Sequence, residues 1–128
     1  MGVRLEVRLK ALKGKKEGEE IEVRALLNSG YESEDPEIIV PLEVAKRLGF
    51  FPDLPEDTLV EEYYSVSGKF EARKIPKAVE IYVEDKKLVA HVVISEFERE
   101  VLLSDSVISG FGIIIEDAKL GKWKFRES

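Results

Sequence analysis

Apolar and polar residues alternate at the start of the chain. Val3, Leu5, Val7 and Leu9 share one parity; Arg4, Glu6, Arg8 and Lys10 share the other. A period of two sends the two sets to opposite faces of an extended chain, so this stretch reads as a half-buried strand. Polar residues 13–20, with Gly14 and Gly18, read as a turn. Alternation resumes at Ile21, Val23, Ala25 and Leu27, giving a second strand that pairs with the first as a hairpin. This strand runs directly into Asn28, Ser29 and Gly30.

The pattern then changes. Residues 31–37 form an acidic loop. Residues 38–50 begin as a short apolar strand, and Pro41 and Gly49 suit the start and end of a short helix. Its apolar face is Leu42, Val44, Ala45 and Leu48. After a Pro-rich connection at 51–57 come four strand-like runs, with Ser67–Gly68 and Glu84–Lys87 supplying turns between them. Residues 99–112 read as an apolar stub, a second short helix near Asp105–Ser109, and glycine. The segments Ile113–Asp117 and Lys122–Phe125 close the chain as a last hairpin. The expectation is a mostly β protein with two short helices, its closely spaced strands forming a closed barrel or a sandwich.

Length and composition narrow the function classes. A chain of 128 residues suits one domain, spanning 1–128, with a core that needs no disulfide or metal staple. No apolar run approaches the roughly 20 residues of a spanning helix, and the N-terminus does not read as a secretory signal. No membrane partner and a cytoplasmic location are therefore expected. The absence of cysteine rules out thiolate catalysis and cysteine-based zinc sites, and His91 is the only histidine. No cofactor and no metal is expected. A net charge of −6 argues against nucleic acid, whose phosphates need a clustered basic face. Asn28 is the only asparagine and there is no glutamine, while Glu and Lys abound. That balance resembles the hyperthermophile pattern of many charges and few thermolabile amides.

The order of these features carries a resemblance. An apolar strand ends in Asn28-Ser29-Gly30; a Pro-Leu-Glu-Val-Ala-Lys-Arg-Leu-Gly-Phe helix follows; hairpins come next; then Val101-Leu102-Leu103-Ser104-Asp105, a helix, and Gly112-Ile113-Ile114-Ile115-Glu116-Asp117. From about residue 20 to 126 this resembles the single-domain retropepsin-like aspartic proteases, whose strand ends in Asp-Thr-Gly or Asp-Ser-Gly. The resemblance implies a closed, mainly antiparallel acid-protease barrel and a homodimer in which each subunit supplies half of a catalytic dyad. Two carboxylates that close share one proton, so one acts as base on water while the other polarises the scissile carbonyl. It further implies that Asn28, Ser29 and Gly30 occupy the catalytic positions. Tyr31 and a flap tip at Val66, Ser67 and Gly68 would line the cleft for an extended peptide or protein segment.

The chain departs from that pattern at the chemistry. Asn28 stands where the family has its Asp, and an amide cannot share the proton. Ser104 replaces a glycine, Tyr31 a small residue, and the acidic loop is longer. The resemblance thus implies a peptide-binding homodimer without turnover; the alternatives are a true endopeptidase whose native residue 28 is Asp, or a structural β domain. Asn28 itself reads as a retained native residue, a replaced acid, or an amide that deamidates. Plainer readings stand beside these. Asn-Ser-Gly is ordinary turn chemistry, and Ser67–Gly68 an ordinary hairpin turn. Glu32, Glu34, Asp35 and Glu37 lack EF-hand spacing and read as a solvated loop. His91 reads as structural, Trp123 and Phe125 as core or dimer contacts, and Asp105 as a helix cap.

Overall fold

The computed structural model describes residues 2–65 and 68–126. Among these residues, nine strands and two short helices follow the expected order. They are β1 (Val3–Ala11), β2 (Glu20–Leu27), β3 (Glu37–Val40), α1 (Leu42–Arg47), β4 (Leu59–Ser65), β5 (Gly68–Val83), β6 (Lys86–Ile94), β7 (Val101–Leu103), α2 (Asp105–Phe111), β8 (Ile113–Asp117) and β9 (Lys122–Phe125).

The large sheet runs β1-β2-β7-β3-β6-β5-β4, and β1 also pairs with β5, at Arg8–Ala11 against Val79–Tyr82. That extra pairing closes six strands into a barrel and leaves β4 outside it, against β5 alone. Alternation explains the closure. The inward set Val3, Leu5, Val7, Leu9 and Ala11 is buried, as is Ile21, Val23, Ala25 and Leu27, while the residues between them are half-buried or exposed. Phe50, Leu48, Ile75 and Ile81 fill the interior without exposure. Trp123 and Phe125 are half-buried, pack against this core and meet edge to face at 5.2 Å.

The barrel is mainly antiparallel, as expected, but β2 runs parallel to β7, and β3 parallel to β6. Short, fully apolar segments such as Val101-Leu102-Leu103 are buried on both faces, and their partners lie far away in sequence. The runs either side of Pro76 form one long strand, β5, rather than two. The ladder is irregular between Ile75 and Val79, where Lys77 takes φ +44° and donates its N–H to His91 Nδ1 at 2.8 Å. The bulge absorbs the proline that would otherwise end a strand. His91 therefore has a structural role in this bulge.

Candidate functional site

The Asn28 turn is built by the end of β2. Leu27 pairs with Leu103 across the parallel ladder, and the Asn28 N–H donates to the Leu103 carbonyl at 3.1 Å. The chain then turns. Asn28 Oδ1 accepts the Gly30 N–H at 3.1 Å, and its carbonyl accepts the Tyr31 N–H at 3.0 Å. The side-chain bond is an Asx turn, so the amide satisfies a backbone donor as the strand ends. Asn28 is half-buried; Ser29 and Gly30 are exposed.

The start of α2 braces the loop beyond. The Asp105 N–H donates to the Tyr31 carbonyl at 2.8 Å, and Asp105 Oδ1 accepts the Ser33 N–H at 2.9 Å. Ser106 Oγ donates to the Ser33 carbonyl. Ser104, fully buried, donates its N–H to the Glu37 carbonyl at 3.2 Å and accepts the Glu37 N–H on Oγ at 3.3 Å. Asp105 is thus not the helix cap expected of it. Ser104 holds the cap position, without a side-chain cap bond, and Asp105 is already the first helical residue. A capping side chain must precede the helix to reach its free N–H groups, so this carboxylate reaches across to the loop instead.

A polar strap joins this loop to the β4–β5 hairpin. Tyr31 donates its phenol O–H to Glu37 Oε2, and Lys74 Nζ lies 3.0 Å from Glu37 Oε1 and 3.5 Å from Glu61 Oε1. Glu37 is only 6% exposed, so the carboxylate depends on these two partners. Burial is the largest influence on the Lys74 ammonium and lowers its pKa. Hydrogen bonds and charge attraction from Glu37 and then Glu61 together outweigh it, and the net shift is upward. Beside the strap lies an open groove of about 260 Å³, lined by Glu32, Ser33, Glu34, Asp35, Glu37, Glu61 and Lys74.

The structure therefore gathers Asn28, Ser29, Gly30 and Tyr31 with the first residues of α2. Val66 and Ser67 lie outside the described residues. Gly68 sits at the distal end of the β4–β5 hairpin, with φ +123° and paired with Ser65. Sequence reasoning missed Glu37 and Lys74 as a pair and gave Asp105 the wrong task. A charged residue opening the apolar run Glu37-Ile38-Ile39-Val40 was the available signal, since a carboxylate there must find a partner. Among the described residues, no group of three or more His, Asp or Glu side chains is placed to hold a metal ion. No helix among them is long and apolar enough to cross a membrane.

In chemical terms, the turn offers an amide whose oxygen is engaged by the Gly30 N–H, and the acidic groove lies in the following loop and beside the strap. Comparison of the chain with known protein-family models finds no match, and comparison with characterised proteins finds none either.

Proposed function

We propose that this protein is a homodimer of retropepsin type that binds extended peptide segments and does not cleave them. In this reading two Asn28 turns face each other across a two-fold axis. The β4–β5 hairpin covers the bound segment, and the β8–β9 hairpin, with Trp123 and Phe125, contributes to the subunit contact. The observation that supports it best is the lacing of Asn28 to Leu103 and of Tyr31 and Ser33 to Asp105. The two segments that carry the family resemblance, far apart in sequence, lie side by side. Half a site per chain needs an isologous partner to be complete.

The loss of turnover follows from Asn28. General acid–base catalysis supplies roughly 10²- to 10⁴-fold in rate, and two amides supply none of it. Sedimentation velocity from low to high micromolar concentration, with and without a library of extended peptides, tests the reading. A dimer that binds one peptide per two chains without consuming it is expected. A monomer at all concentrations would overturn the proposal.

One observation favours a second reading, a genuine aspartic endopeptidase. With Asp at position 28 the chain would contain no side-chain amide at all. Reading codon 28 of the source gene separates the two.

A further inference from the structure

We propose that the outer edge of β4 docks an extended peptide segment bearing two adjacent basic residues, which adds as a further strand. This site is separate from the cleft discussed above and needs no second subunit.

The backbone supplies the first argument. β4 pairs with β5 along its whole length, Leu59 with Lys74 through Ser65 with Gly68. It ends the sheet order, and among the described residues no strand lies on its other side. In an antiparallel strand, alternate residues direct both backbone groups away from the partner. Folded proteins shield such edges with Lys, Pro, bulges or very short strands. The seven residues of β4, Leu-Val-Glu-Glu-Tyr-Tyr-Ser, include no lysine, proline or glycine, and their ladder with β5 has no register shift. Leu59 and Val60 are 48% and 55% exposed.

Charge selects the occupant. Glu61 and Glu62 are consecutive, so their side chains leave opposite faces of the strand. Their pairs with Lys74 at 3.5 Å and Lys69 at 3.2 Å lie on the β5 side. Glu61 also opens onto the acidic groove that holds Glu32, Glu34 and Asp35. A second copy of β4 paired about its centre would bring Glu62 against Glu62, and like charges directly opposite destabilise a ladder. A strand with neighbouring Lys or Arg residues, flanked by apolar ones opposite Leu59 and Val60, meets each requirement. Backbone hydrogen bonds would give the affinity and the alternating side chains the selectivity.

Fluorescence anisotropy with the intact protein tests this. The probe is a labelled peptide, Thr-Val-Lys-Lys-Val-Val-Thr, compared with its Glu-Glu counterpart and with a version N-methylated at alternate amides. Expected are one peptide per chain, binding about tenfold weaker for the Glu-Glu peptide, and loss of binding on N-methylation. Glu62→Lys should invert the preference, and Val60→Pro should abolish binding while circular dichroism reports an unchanged fold. Three results would each overturn the proposal. One is equal binding of the Lys and Glu peptides. Another is one peptide per two chains, which assigns the site to the subunit cleft. The third is self-association removed by Val60→Pro without peptide binding, which assigns the edge to a second copy.

Discussion

Replacing Lys74 by methionine isolates the strap between the Asn28 loop and the β4–β5 hairpin. The substitution keeps the length and apolar stem of the side chain and removes only the ammonium. Glu37 is then left 6% exposed with the Tyr31 phenol as its remaining strap partner. Removing one partner of a buried ion pair costs about 3–5 kcal/mol, because the other charge stays desolvated. The Lys74 side chain is 20% exposed, so water screens part of the interaction. A cost discounted below that range, about 2–3 kcal/mol, is expected. For a chain of this size that is a fall in Tm of roughly 10 °C. The control is Glu61→Gln. Glu61 is 37% exposed and lies farther from Lys74, and its loss should cost under about 1 kcal/mol. Urea unfolding followed by circular dichroism measures both, and the Glu37→Gln and Lys74→Met cycle gives the coupling. If Lys74→Met proves no more costly than Glu61→Gln, the strap does not hold the loop, and the argument from Glu37 burial fails.

Other outcomes follow from the same geometry. Asn28→Ala should lose the Asx bond to Gly30 and cost about 1 kcal/mol in urea unfolding, whereas Asn28→Asp keeps the acceptor. In the proposed dimer, Asn28→Asp should bring two carboxylates together, split the apparent pKa values of the pair, and give acid-optimal cleavage. One carboxyl of that pair gains a raised pKa. Its contribution is present at low pH and fades as pH rises through that value, so this variant should melt lower at pH 7 than at pH 4. The unsubstituted protein should behave in the opposite sense at low pH. Glu100 is held below the usual carboxylate range by its hydrogen bond and charge pairing with Arg4, and Asp57 by its hydrogen bond to Lys13. Their stabilisation is complete above about pH 4–5 and is lost as acid protonates them; Lys74, shifted upward, adds its share at neutral pH and loses it only above about pH 10. A pH series of melting curves checks both limbs. Gly49→Ala should destabilise by about 2–3 kcal/mol, since Gly49 has φ +80° and a Cβ there would stand 2.8 Å from the Lys16 backbone nitrogen.

What the sequence discloses depends on how local the physics is. The hairpin of β1 and β2 is legible because one face is buried, and alternation records which. The helix at 42–47 is legible from Pro41 and Gly49 at its ends, whereas the second, read as Asp105–Ser109, runs on through Gly110 to Phe111 and ends at Gly112. The parallel pairings of β2 with β7 and β3 with β6 are not, because uniformly apolar runs do not name their neighbours. Continuity of β5 through Pro76 depends on a bond from Lys77 to His91, fourteen residues on. At the site, the turn at Asn28 follows from residue chemistry alone. The tasks of Asp105 and Lys74 do not, because each is defined by a group brought near only when the barrel closes.

In the proposed dimer, two copies of the chain meet at Asn28. With no native cysteine, Asn28→Cys introduces a single thiol in each chain. A short bifunctional thiol cross-linker then reports whether two such residues face each other, with Lys15→Cys on the distant β1–β2 turn as the comparison. Such a dimer should give rapid, near-complete cross-linking of Asn28→Cys at low micromolar concentration and little for Lys15→Cys. Equal, slow cross-linking of the two variants would contradict it.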